Sequence, residues 1–169
     1  MALDSNIDSP TFNCYVSLAN ANIYMSERLH TSVWDAATDL QREAALIWST
    51  KMLDSNFVWN GGKRDINQNL GFPRYGIYDG DGYYISSDII PSQVVTATIE
   101  QALLLLSNDR STLYEPSSQG LDSLSLGSIS MSFDKLDQAP VVSQYVRSLL
   151  FGLFSIAKSP SGTVKIMRT

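Results

Sequence analysis

From Leu18 the chain reads LANANIYMSERL, with Leu18, Ala21, Met25 and Leu29 at near-helical spacing. Ser17 stands just before it, where a hydroxyl can accept from a free first-turn amide, so a first helix is predicted over Leu18–Leu29. HTSVW then reads as a short connection. In TDLQREAALIWSTKML, Thr38 and Gln41 make a capping-box pattern, while Leu40, Ala44 and Ile47 form a stripe that Trp48 and Met52 widen. A second helix is predicted over Asp39–Leu53, with that stripe in the core. Gly61-Gly62, Pro73 and the Asp-Gly pairs break regular structure from Asp54 to Ile90. A loop of this length in a compact domain is more often functional than incidental. Pro91 opens a third helix in the first-turn position that tolerates its missing amide, and Val95, Ile99, Ala102, Leu103 and Leu106 give that helix its apolar face. SNDRS ends it.

Residues Thr112–Gly120 are turn-rich, and Leu121–Phe133 alternates apolar and polar with a one-residue shift at Gly127-Ser128. Two short strands, or one bent strand, fit that shift. Pro140 opens a fourth helix carrying Val142, Tyr145, Val146, Leu149, Leu150 and Leu153, and SLLFGLFSIA (Ser148–Ala157) reads as its buried face, too short to span a bilayer. Past Lys158 come a flexible joint and a short β-capable run, Thr163–Met167. The predicted fold is mainly α: a four-helix domain with a long ordered loop, a small β-hairpin element and extended N- and C-terminal arms. One domain spans 1–169, with a helical core over about 17–157, an N-terminal arm over 1–16 and a C-terminal tail over 158–169. Leu40, Ala44, Ile47, Trp48, Ile99, Leu103, Leu106, Val146, Leu149 and Leu153 are the predicted core. Cutting Trp48, Leu103 or Leu149 back to alanine is expected to cost about 2–5 kcal/mol.

Composition narrows the function classes. With 169 residues, 44% apolar and 17% charged, the chain has the balance of one globular domain. A net charge of −5 repels a phosphate backbone unless the cations gather on one face. The single Cys14 allows no internal disulfide, and MALDSNIDSPTF lacks the basic start and apolar run of a secretory signal, so a soluble protein without a membrane partner is expected.

No catalytic constellation emerges. His30 is the only histidine and lacks a nucleophile signature around it, so a solvated helix-end residue is expected. One His and one Cys fall short of a zinc set. Asp79-Gly80-Asp81-Gly82 has acids at alternate positions but no closing glutamate for calcium, and Asp-Gly pairs serve hairpin turns. No cofactor and no enzymatic activity are expected. Nucleic-acid binding has more material: Trp59, Lys63, Arg64, Phe72, Arg74, Tyr75, Tyr78, Tyr83 and Tyr84 interleave rings and cations. Asp65, Asp79, Asp81 and Asp88 offset those cations.

YVSLANANIYMSERL, Trp34, TDLQREAALIWSTKMLD, W.G, QNLGFPR, the D.DGY turn and IP..V..AT.E.AL follow one another in that order. This order, over Tyr15–Leu106, resembles a phage family whose members often carry a DnaT-like single-stranded DNA-binding label and look like head–tail connector (adaptor) proteins. Phe72 stands where relatives commonly have Trp before Pro-Arg. The resemblance implies a structural virion protein, made in the host cytoplasm and seated at the head–tail junction. It would form a dodecameric ring with itself, bind the portal protein above and a distal tail, nozzle or stopper protein below, and let DNA pass through its lumen. On that reading Arg64, Phe72, Arg74, Tyr75, Tyr78, Lys165, Ile166 and Arg168 are the expected contact residues, and the Asp-Gly loop is an interface. The alternative is a single-stranded DNA-binding, DnaT-like replication protein.

Overall fold

The computed structural model describes residues 2–107, 123–126, 129–132 and 141–155. Helix α1 (Leu18–Ser26) starts where Ser17 Oγ accepts from the Asn20 amide at 3.2 Å. It stops short of Leu29, and His30 turns the exposed chain with a left-handed φ of 61°. The stretch expected to be a plain connection contains a short helix, α2 (Ser32–Ala36), which buries Trp34 and lets its Nε1 donate to Asn22 Oδ1 at 3.0 Å. Helix α3 (Asp39–Asn56) has the expected capping box: the Gln41 amide donates to Thr38 Oγ1 at 3.3 Å and the Thr38 amide to Gln41 Oε1 at 2.9 Å.

The buried face of α3 is not the one predicted. Leu40 is 76% exposed, Trp48 is 48% exposed, Ala44 is exposed and Ile47 is only half-buried. The helix buries Ala45, Leu46, Ser49, Thr50 and Leu53 instead, and of the expected stripe Met52 is buried with them. Its two small polar residues can enter the core because each is satisfied there. Ser49 Oγ donates to the Thr98 carbonyl at 2.7 Å, and Thr50 Oγ1 to Leu46 O, one turn back, at 3.0 Å. Hydroxyls bonded in this way avoid most of the cost of burial, so the helix can rotate by a fraction of a turn from its most apolar stripe.

Short strands β1 (Val58–Trp59), β2 (Gly62–Lys63) and β3 (Arg74–Tyr75) lie in the long loop, and helix α4 (Ser92–Ser107) follows and packs mainly against α3. Ile99 and Leu103 are buried and Leu106 is half-buried. Strands β4 (Ser123–Leu126) and β5 (Ile129–Ser132) pair antiparallel, with Leu126 opposite Ile129, in the segment whose alternation predicted them. The fold is mainly helical with small two-stranded sheets, carrying five helices rather than four among the described residues.

The last helix is shorter than expected. Helix α5 spans only Gln144–Leu149; Gly152, at φ 90°, then turns the chain so that β6 (Phe154–Ser155) pairs antiparallel with β1. Val146, Leu150 and Leu153 are buried, Leu149 is half-buried, and Phe151 is 86% exposed, so the described part of that stretch, Ser148–Ser155, passes from the end of α5 through a turn into a strand and is not one buried helical face. No described helix is long and apolar enough to cross a membrane.

Two apolar clusters flank the α3–α4 contact. One joins Cys14, Val16, Met25 and Trp34 to Leu46 and Leu103, beneath α1 and α2. The other joins Tyr15, Leu53, Trp59, Phe72, Val94 and Val146, beneath the loop and α5. Phe12–Val16, assigned to the N-terminal arm from sequence, are buried and contribute to both.

Candidate nucleic-acid interface

The long loop is built around two charged side chains, the half-buried Asp54 and the buried Arg74. Asp54, near the end of α3, uses both carboxylate oxygens: Oδ1 accepts from Tyr15 OH and from Trp59 Nε1 (2.9 Å), and Oδ2 from the Gly71 amide (2.7 Å). Burial first, and then the charge and hydrogen bond of Asp54, push Tyr15 well above its ordinary pKa. Arg74 is 9% exposed, and its guanidinium donates to the carbonyls of Asn60 (2.7 Å), Gly71 (3.0 Å), Trp59 (3.3 Å) and Gly61 (2.8 Å). Burial lowers its pKa, with Tyr15, Asp54 and Tyr75 pulling the other way.

These positions correct two expected contact residues. Arg74 is a clamp on the loop backbone, with its donors turned inward. Phe72 is fully buried, its ring 4.9 Å from Trp59 and 5.9 Å from Tyr15, both edge-on. Trp59 is buried too, so neither ring is open to a base or to a neighbouring chain. Asp54 was not singled out from sequence, since one aspartate at a helix end carries no signal until the fold brings Tyr15 and Trp59 to it. It also lines a cleft of about 560 Å³ with Phe12, Lys51 and Leu70; with both its oxygens engaged, it is no free base.

Gly61 and Gly62 allow the next layer. A β-carbon on Gly61 (φ 68°) would sit 2.2 Å from the Tyr75 carbonyl, and one on Gly62 would strike the Tyr75 ring at 2.5 Å. Strand β2 therefore lies close under β3, with Gly62 opposite Tyr75. Beyond Gly76 the chain makes a hairpin. Ile85 N donates to Ile77 O at 3.0 Å and Asp79 N to Tyr83 O at 2.9 Å. Asp79 Oδ1 accepts from the Asp81 and Tyr83 amides (3.0 and 2.7 Å), so the Asp-Gly pairs form the turn.

The hairpin alternates in and out. Ile77 and Ile85 face the core, while Tyr78 and Tyr84 pair across the strands on the other side, their rings 5.9 Å apart and edge-on. Tyr75, Tyr78, Tyr83 and Tyr84 are 57%, 57%, 73% and 56% exposed. These four side chains are the loop's accessible aromatic surface. Arg64 lies between the N-terminal segment and the loop, its Nη2 2.7 Å from Asp8 Oδ1 and its Nη1 3.6 Å from Asp88 Oδ1. Lys63 is exposed, and its Nζ donates to Gln68 O at 3.0 Å. Of the remaining expected contacts, Lys165, Ile166 and Arg168 lie outside the described residues. His30 is exposed and Cys14 buried, so the two do not form a nucleophile–base pair.

A family model described as "Putative DnaT-like ssDNA binding protein" matches residues 1–169. No curated protein and no solved structure matches the chain. The match overturns the expected virion role, a head–tail connector that binds the portal and serves tail assembly and DNA ejection. The family is described by single-stranded DNA binding, and Phe72 and Arg74, which were to serve that role as contacts, are spent inside the chain. The chain belongs to the DnaT-like single-stranded DNA-binding family.

Proposed function

We propose that this protein binds single-stranded DNA, with the Tyr75–Tyr84 segment as its stacking surface, and that it performs no chemistry on the strand. The carrying observation is the outward-facing Tyr78–Tyr84 pair, joined by Tyr75 and Tyr83, on a hairpin anchored from below by Ile77 and Ile85. Rings exposed on a rigid support are what a sequence-tolerant single-strand binder needs, because every base has a face to stack. Family membership supports the same reading.

The test is fluorescence anisotropy of a labelled oligothymidylate. Wild-type protein should bind, and Tyr78→Ala with Tyr84→Ala should weaken binding by about 1–3 kcal/mol per stacked base lost. Both side chains point away from the core, so the double variant should unfold within about 0.5 kcal/mol of wild type. Absence of binding at low salt, or full affinity in the double variant, would refute the assignment.

A further inference from the structure

We propose that the hairpin holds a strand by its bases and leaves the phosphates in water. The ligand class would then be any unpaired, base-bearing strand, whatever the charge of its backbone. The proposal rests on the single-strand reading above and adds how that site works.

The state of the cations carries it. Residues 62–88 contain three, Lys63, Arg64 and Arg74, against four aspartates, Asp65, Asp79, Asp81 and Asp88. Arg74 is buried with its donors on four backbone carbonyls, so it cannot reach a phosphate. Arg64 is already neutralised by Asp8 and Asp88, and a phosphate would have to displace carboxylates to use it. Among the described residues of the loop, only Lys63 is an exposed cation with no carboxylate beside it.

The acids make the same point from the other side. Asp79 and Asp81 sit in the turn of the hairpin that presents Tyr78, Tyr83 and Tyr84, so a phosphate drawn close to the rings meets two negative charges. A strand settles there with its bases on the rings and its backbone turned outward. Stacking needs no counterion release, and each neutralised phosphate contributes a salt slope of only about −0.7 for a single strand. With Lys63 as the one free cation among the described residues of the loop, affinity at the hairpin should fall about threefold between roughly 50 and 200 mM salt.

Three oligomers of equal length separate the possibilities on the full-length protein. Oligothymidylate should bind with that shallow slope. Its neutral methylphosphonate counterpart should bind at least as tightly, and an abasic phosphodiester should lose most of its affinity. Asp81→Asn, whose side chain accepts no hydrogen bond among the described residues, should tighten binding of the charged oligomer and leave the neutral one unchanged. A loss beyond about sevenfold over the same salt range means more than two phosphate contacts and overturns the proposal, as does undiminished binding of the abasic strand. Either result would leave the single-strand reading standing. Failure of all three oligomers to bind at the lowest salt would remove that reading and this proposal together.

Discussion

Arg74 is where the two accounts of the loop diverge most sharply, because an arginine beside exposed tyrosines is the residue a phosphate-contact reading would choose. Arg74→Ala removes donors from four carbonyls. The Gly71 carbonyl keeps a bond from Gln68 Nε2 at 3.2 Å, so the loss falls on Trp59, Asn60 and Gly61. The Trp59 contact is buried, and its carbonyl would be left without that partner at about 1–3 kcal/mol; water can partly replace the other two. The sum is about 3 kcal/mol, within the range for breaking a buried network. Arg74→Lys should recover little of it, because one ammonium cannot reproduce a planar fork. Urea unfolding followed by tryptophan fluorescence measures the loss, and Trp59 sits beside the perturbation. A change below about 1 kcal/mol would refute the clamp, as would an Arg74→Lys protein of full stability that no longer binds DNA.

Three further outcomes follow from particular side chains. Leu40→Ala and Trp48→Ala should each cost under about 1 kcal/mol, whereas Leu46→Ala, at 0% exposure, should cost about 2–5 kcal/mol in the same urea titration. Arg28→Ala should cost about 3 kcal/mol, because Glu100, with a side chain 4% exposed, keeps only Tyr24 OH of its partners; a thermal melt that stays in place would contradict the pairing. Tyr15 and Tyr24 both have pKa values raised by burial and by their carboxylate neighbours, so their contribution to stability is intact below the unfolded tyrosine pKa and is lost as pH climbs above about 10. Stability measured between neutral pH and pH 11 should therefore fall, and Tyr15→Phe should flatten the fall.

The sequence was most legible where one local signal stood alone. Ser17, the Thr38–Gln41 box and Pro91 mark helix starts to within a residue or so, because capping is decided by immediate neighbours. The face each helix buries was less legible. In α3 the competing stripes differ mainly in trading Leu40 and Trp48 for Leu46, Ser49 and Thr50, and only the partner carbonyl of Thr98 makes Ser49 acceptable inside. The end of the fourth predicted helix was misread for a related reason. LLFGLF (Leu149–Phe154) has no polar side chain, and the left-handed Gly152 turn, with β1 waiting as a strand partner, is a tertiary fact.

The loop was misread in a more instructive way. Irregular backbone has as many amides and carbonyls to satisfy as helix or sheet does, and no ladder to satisfy them. Here side chains take over. Arg74 serves four carbonyls, Gln68 Nε2 serves Leu70, Gly71 and Pro73 (2.8, 3.2 and 3.0 Å), and Asp54 serves the Gly71 amide. A fork of donors such as that of Arg74 is what a reader of the sequence would assign to a ligand. In this loop the backbone is that ligand. Phe72 and Trp59 go the same way, filling the space under a segment that has no helix face to bury. What remains for the outside is what the loop's own folding does not require, namely the tyrosines of a hairpin whose inner face Ile77 and Ile85 already occupy. A site that emerges by this subtraction has rings and few free cations. That is why its salt response, more than its affinity, distinguishes stacking on the hairpin from binding by charge.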